Sequence, residues 1–288
     1  MKYGIYYAYW EKEWGGDVLS YIGKVKSLGF DILEVACGDF DKQPVSYFEK
    51  LRDEANKYNI ILTGGYGPRP EHNIASKDES KVERTFEFYE EVFKKMKIAG
   101  IKSIGGALYS FWPVDYTKQI DKDGDFKRST SRMKYLADIA KKYDITLLME
   151  SLNRFEGYLI NDAKEAIKYV REVDKENVKI LLDTFHMNIE EDNLEDAIKL
   201  AGPYLAELHV GEANRRPPRK GRFDWEVIGK ALKEISFEGN VVMEPFVIKG
   251  GQVGSDIRIW RNIVEDDSTA KLDEDVRDSL VFLKKTFE

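Results

Sequence analysis

Residues 145–156 read I-T-L-L-M-E-S-L-N-R-F-E, and the reading of this stretch decides the fold. A short apolar run rises to Met149 and stops at the carboxylate Glu150; a second carboxylate, Glu156, follows in a polar loop. Bounded by Lys141-Lys142 and Asn153, the run predicts a fully buried strand. An unpaired buried carboxylate is costly, so an acid that closes such a strand needs a partner. The pattern returns three times downstream: Val178–Asp183 ends in Asp183, Leu205–His209 in His209 and Val241–Glu244 in Glu244. Four apolar strands thus finish on side chains able to bind a metal.

Working back from this stretch, strands are expected at Tyr3–Tyr9, Asp31–Cys37, Ile60–Thr63 and Ser103–Leu108. Helices are expected at Asp17–Leu28, stopped by Gly29, at Val45–Tyr58, and along Val82, Phe86, Tyr89, Phe93 and Met96, which keep helical spacing. Met133, Leu136, Ala137 and Ala140 mark a helix before residue 145, and Ala163–Val173, Leu194–Ala201 and Trp225–Ile235 lie between the later strands. Eight strands alternating with helices predict parallel strands joined by crossovers. In roughly 250 residues this is the size of a closed (β/α)₈ TIM barrel. An open doubly wound sheet is the alternative, without a dinucleotide fingerprint at the first βα turn. The chain reads as a single barrel domain, 1–288, with 265–288 as an outer C-terminal helix centred near Asp273–Phe287.

Composition narrows the function. A net charge of -7 and a pI near 5.3 argue against a nucleic-acid partner, which needs a basic footprint. A single cysteine, Cys37, excludes an internal disulfide and suits a reducing, cytoplasmic setting; it is expected to be buried and inert. Lys2 leads straight into strand-like Tyr3–Tyr7, so no leader is expected, and no apolar run is long enough to span a membrane.

In a barrel the C-terminal strand ends meet at one mouth, which would gather Glu150, Asp183, His209 and Glu244 from successive units. Three carboxylates and one imidazole favour a hard or borderline divalent cation, Mn²⁺, Mg²⁺ or Co²⁺ before Zn²⁺. The bland alternative is that each acid caps a helix N-terminus. His186, three residues past Asp183, could touch a substrate hydroxyl or be a satisfied structural histidine; His72, in a Pro-rich loop, is expected to be solvated. Asp121–Asp125 resembles a calcium loop only superficially and reads as a polar turn, Glu190-Glu191-Asp192 as the acidic start of a helix. The basic run Asn214–Arg222 reads as a loop with one substrate contact and several solvated charges.

The chain resembles the ketose 3-epimerases, specifically the D-psicose (D-allulose) and D-tagatose 3-epimerase family of the xylose-isomerase-like barrels. Gly4-Ile5-Tyr6-Tyr7, Ile104–Ser110 with Trp112-Pro113, Leu152–Glu156, Leu182–Glu191, Gly211-Glu212, Val242–Phe246 and Gly254–Ile257 with Trp260-Arg261 carry the resemblance nearly end to end. It implies that Glu150, Asp183, His209 and Glu244 bind one divalent cation per subunit (Mn²⁺, or Co²⁺ or Mg²⁺), with Glu150 and Glu244 doubling as the acid/base pair. It further implies that Glu156, His186 and Arg215 hold substrate oxygens, that Tyr6 and Trp112 line the pocket, and that Trp14 and Phe246 form its apolar wall. The activity implied is C3 epimerisation of a free ketohexose through a metal-stabilised cis-enediolate; an aldose–ketose isomerase or a phosphosugar epimerase are the alternatives. By analogy the resemblance also implies a homodimer or homotetramer. Tyr66 and residues 213–225 depart from the family pattern, which bears on the preferred sugar.

Overall fold

The computed structural model describes residues 1–288. Eight strands, β1 Lys2–Tyr6, β2 Ile32–Ala36, β3 Ile61–Gly65, β4 Ser103–Gly106, β5 Thr146–Glu150, β6 Val178–Asp183, β7 Leu205–Val210 and β8 Asn240–Met243, close in sequence order into a parallel barrel. Each is a short apolar run because both of its faces are covered, one by the barrel interior and one by helices. Between them run α1 Val18–Leu28, α2 Val45–Tyr58, α3 Glu79–Ala99, α4 Lys122–Lys142, α5 Ala163–Val173, α6 Thr184–Glu190, α7 Leu194–Ala201 and α8 Trp225–Glu234. α9, Gly251–Asp256, and α10, Thr269–Phe287, follow β8.

The helices bury one stripe each. In α5, Ala163, Ala166, Ile167, Val170 and Val173 are buried at helical spacing, and Asp162 caps the start by accepting from the Glu165 amide. α10 buries Leu272, Val276, Leu280, Leu283 and Phe287. It packs on α8 and α1, with the Phe287 ring 6.2 Å from that of Trp225. This helix ties the last βα unit to the first.

Some boundaries differ from the sequence reading. The first strand ends at Tyr6, and Tyr7–Trp10 form a 3₁₀ turn that buries Tyr7 and Tyr9. β4 stops at Gly106, whose φ of +122° turns the chain out of the sheet. A Cβ at this position would run into the Tyr66 carbonyl oxygen. Asp121 is not part of a free turn: its side chain accepts from the Gly124 amide and caps α4. Glu190 ends α6 and does not start a helix, and α6 and α9 were not foreseen. α10 begins at Thr269, four residues ahead of the expected Asp273, because Ser268 caps it. His72 is half-buried and not free in solvent; its ring stacks on Phe88 at 3.6 Å and its Nδ1 lies 2.5 Å from the Tyr66 hydroxyl.

Candidate active site

β5 to β8 deliver the four candidate ligands. In β6 and β7 a register shift at Ile180/Leu181 brings Asp183 opposite His209. Glu150 closes β5, and Glu244 lies one residue past β8, its amide donating to the Val210 carbonyl. One donor atom from each of Glu150, Asp183, His209 and Glu244 lies within 4.8 Å of every other. His209 Nδ1 stands 3.9 Å from Glu150 Oε1 and 3.8 Å from Glu244 Oε1, and has no hydrogen-bond partner. Asp183 also bears out part of the capping alternative, since its Oδ1 accepts from the Phe185 amide at the start of α6. Its Oδ2 faces the cluster.

Electrostatics show how crowded the set is. Burial and the neighbouring Glu244 push the Glu150 carboxyl well above its ordinary range, and burial raises Asp183 as well. Burial would raise Glu244 too, but His209 and Arg215 outweigh it and hold that carboxyl low. For His209, burial favours the neutral ring, yet Glu34, Glu207 and Glu244 push its pKa well upward. Three carboxylates, Glu150 and Asp183 buried and Glu244 partly so, around an orphaned imidazole nitrogen are an unfavourable arrangement without a cation, and three oxygens with one nitrogen fit a hard or borderline divalent ion. The residues present therefore fit such an ion.

The loop after β5 and the loop after β7 add the rest. Glu156 Oε1 accepts from Asn153 Nδ2 at 3.1 Å and from Arg215 Nη2 at 3.5 Å, while its Oε2 accepts from Trp112 Nε1 at 3.4 Å. Burial opposes ionisation of Glu156, but the Arg215 charge and the hydrogen bonds from Asn153 and Trp112 prevail and lower its pKa. The Asn153 amide and Nδ2 approach His186 Nδ1 at 3.2 and 2.7 Å, so Nδ1 is the acceptor and the proton sits on Nε2. Burial keeps this ring neutral. Its Nε2–H faces Glu150 and Asp183 at 3.8 and 3.9 Å, available to a ligand oxygen. The Arg215 guanidinium lies 3.8 Å from the Phe185 ring centre.

Tyr6, Trp14 and Phe246 form an aromatic triangle with centroids 6.2–6.4 Å apart, and Trp112 meets Trp14 edge-on at 6.3 Å. They wall a cavity that Glu150, Glu156, His186, His209, Arg215 and Glu244 also line. Every expected substrate-contacting residue thus meets the candidate ligands at one mouth, and Asp183 joins through the donor cluster and Arg215. In the basic run only Arg215 turns in; Arg216 donates to the Ile263 carbonyl and Arg219 pairs with Asp278. Cys37 is buried, and burial raises its thiol pKa.

The sequence reading missed Glu34 and Glu207, both fully buried beneath His209. Burial pushes the Glu34 carboxyl up to about 7 against the pull of His209. A signal was present: each is a lone acid inside an apolar strand, and Glu207 shares a face with His209 two residues on.

A closed parallel barrel with an acid-and-imidazole cluster at its C-terminal mouth has the layout of a barrel enzyme. The family model of the xylose isomerase-like TIM barrel matches residues 22–284. The D-psicose 3-epimerase of Ruminiclostridium cellulolyticum is 46% identical over 288 residues, covering 100% of this chain and 98% of its own. That of Agrobacterium fabrum is 46% identical, covering 98% of both chains. The crystal structure of D-psicose 3-epimerase with D-tagatose from Clostridium cellulolyticum superposes with a TM-score of 0.99 at 46% identity, covering 100% of both chains. The chain belongs to the D-psicose 3-epimerase family of xylose isomerase-like barrels.

Proposed function

We propose that the protein is a ketose 3-epimerase that uses one divalent cation, Mn²⁺ or alternatively Co²⁺ or Mg²⁺, to interconvert free ketohexoses at C3, of the D-fructose/D-psicose or D-tagatose/D-sorbose type. The observation that carries this reading is the cluster of Glu150, Asp183, His209 and Glu244 at the floor of a cavity walled by aromatic side chains. Those four residues would hold the cation, which supplies Lewis-acid stabilisation of the negative charge that develops on the sugar oxygens.

The residues of the chain do the remaining work. Epimerisation removes the proton on C3, next to the C2 carbonyl, and returns one to the opposite face through an enediolate. Glu150 and Glu244 are the pair for this, one taking the C3 proton on a carboxylate oxygen while the other delivers its own, with roles exchanged in the reverse reaction. Glu156, His186 Nε2–H and Arg215 hold hydroxyl oxygens and so fix which faces of C3 the two carboxylates see. Tyr6, Trp14, Trp112 and Phe246 exclude water that would protonate the enediolate at random.

A free sugar is favoured over a sugar phosphate because Arg215, the one arginine lining the cavity, is already engaged by Asp183, Glu244 and Glu156. We place the enzyme in the cytoplasm, on the ground of its lone buried cysteine, as a homodimer or homotetramer; no helix is long and apolar enough to cross a membrane. The test is a panel of free ketoses and their phosphates with added Mn²⁺, Co²⁺ or Mg²⁺ in heavy water. Deuterium entering at C3 and not at C1 supports the epimerase; label at C1 instead identifies an aldose–ketose isomerase.

A further inference from the structure

Barrel interiors are ordinarily filled by branched apolar side chains. Here the layer beneath the candidate cation site holds two carboxylates, Glu34 on β2 and Glu207 on β7, each 1% exposed. Both aim at one atom. His209 Nε2 lies 3.3 Å from Glu34 Oε1 and 3.4 Å from Glu207 Oε1, between two acceptors and aligned fully with neither. The other oxygen of each carboxylate is anchored by its register partner on the next strand. Thr63 Oγ1 donates to Glu34 Oε2 at 3.2 Å, and Asn240 Nδ2 donates to Glu207 Oε2 at 2.9 Å. Space is reserved as well: a Cβ on Gly65 would lie 3.3 Å from Glu34 Oε1.

We infer that Glu34 and Glu207 are positioning residues for His209, holding its ring proton on Nε2 so that the Nδ1 lone pair is presented to the cation cluster. This rests on the cation reading above. A histidine ligand offers only one nitrogen to a metal, and what its other nitrogen donates to fixes both ring orientation and tautomer. The same three groups, Glu34, Glu207 and His209, have donor atoms within 4.8 Å of one another, as a second cation would require. An ion there would demand that His209 surrender its last ring proton, whereas an Nε2–H between two carboxylate oxygens needs no such step.

The anchors make a discriminating substitution available. Asn240 can turn its amide to accept, and the Thr63 hydroxyl can accept as readily as donate. Glu207→Gln and Glu34→Gln can therefore keep an oxygen on Nε2 while discarding the charge. The experiment uses the full chain, with Mn²⁺ binding followed by paramagnetic resonance of the free ion, and Mg²⁺-loaded, ¹⁵N-histidine-labelled protein for the ring protons of the three histidines. For the native chain we expect a slowly exchanging, downfield Nε2–H on His209 and no proton on its Nδ1. Glu207→Ala should weaken Mn²⁺ binding roughly 10- to 100-fold and speed exchange of that proton, and Glu207→Gln should recover most of both. A proton found on Nδ1, alanine variants that bind like the native chain, or a Gln variant as weak as Ala (a simple effect of charge) each overturn the inference. If Glu207→Ala does not fold, Glu207→Gln and Glu34→Gln decide it by the same signal, an unchanged Nε2–H supporting the role and its loss overturning it. Absence of Mn²⁺ and Mg²⁺ binding by the native chain sinks the cation reading itself; intact binding with unaffected variants sinks only the positioning role.

Discussion

Arg215 sets its Nη1 3.1 Å from Glu244 Oε2. The same nitrogen is 3.2 Å from Asp183 Oδ2, on a side chain that is 4% exposed. One guanidinium thus neutralises two of the four candidate ligands while its Nη2 reaches Glu156. Removing one partner of a buried ion pair leaves uncompensated charge and costs about 3–5 kcal/mol. We expect Arg215→Gln to destabilise the cation-free protein by that order, with a smaller loss once Mn²⁺ is added. Arg215→Lys should not rescue turnover, because an ammonium cannot reproduce the planar fork. Thermal melts with and without Mn²⁺, alongside ketose kinetics, check this; equal destabilisation in both states would show that Arg215 acts apart from the cluster.

Glu150→Gln and Glu244→Gln should each abolish epimerisation, since each amide removes a proton carrier. Proton exchange at C3 separates their roles. A variant that retains only the base should still wash deuterium into unreacted ketose without inverting C3. Full turnover in either variant would show that its carboxylate carries no proton.

Glu156 stands apart from the four-donor cluster and contacts Asn153, Trp112 and Arg215. Its role as a hydroxyl acceptor makes the loss mainly one of binding. Glu156→Ala should raise KM by roughly 10-fold or more, the scale of one charged hydrogen bond, with a smaller effect on kcat. A collapse of kcat at unchanged KM would move Glu156 into the proton-transfer machinery.

The loop between β5 and α5 is fastened by Arg154, whose Nε and Nη2 grip both oxygens of Glu190 at 2.8–3.2 Å. These hydrogen bonds hold the Glu190 carboxyl below its ordinary range. The native state therefore prefers the ionised acid. The resulting stability is present above the unfolded-chain value of about 4.3 and is lost as pH falls through the depressed native value. Glu190→Gln should lower the melting temperature at about pH 7, and the gap from the native chain should close as the solution is acidified toward about pH 3. A gap independent of pH would assign the effect to packing.

Chelation gives a test that needs no substitution. A ligand bound only by the folded state at 100 times its Kd adds about 2.7 kcal/mol, which for a chain of this size is roughly 5 °C in melting temperature. Treatment with a chelator should lower the melting temperature by about that much and remove activity, and Mn²⁺ should restore both. A melting curve indifferent to chelator and Mn²⁺ would argue against the four-donor cluster as a cation site.

The barrel and most of its mouth are legible in the sequence because parallel strands buried on both faces appear as apolar runs, and an acid closing one has nowhere neutral to go. Glu150, Asp183, His209 and Glu244 show this directly. Arg215 and Phe246 are not visible by that route, since a loop arginine and one aromatic among many carry no periodic signal; the family resemblance supplied them. Glu34 and Glu207 escaped because they lie inside their strands, where an isolated acid looks like a break in an apolar pattern. α6 was hidden because Asp183 reads as a strand end and Glu190-Glu191-Asp192 as the start of the next helix, whereas Asp183 caps a short helix that Glu190 closes. His72 was misjudged because prolines suggest an exposed loop, while its stacking on Phe88 depends on α3, a neighbour that local sequence does not reveal.

The chain reversal at Gly106 constrains anyone who would retune this enzyme toward another sugar. With a φ of +122° and the Tyr66 carbonyl directly where a side chain would start, position 106 admits no occupant but hydrogen. Randomised libraries aimed at the mouth should therefore hold this site constant and diversify neighbours such as Ala107 and Tyr66, whose side chains can change without breaking the bend.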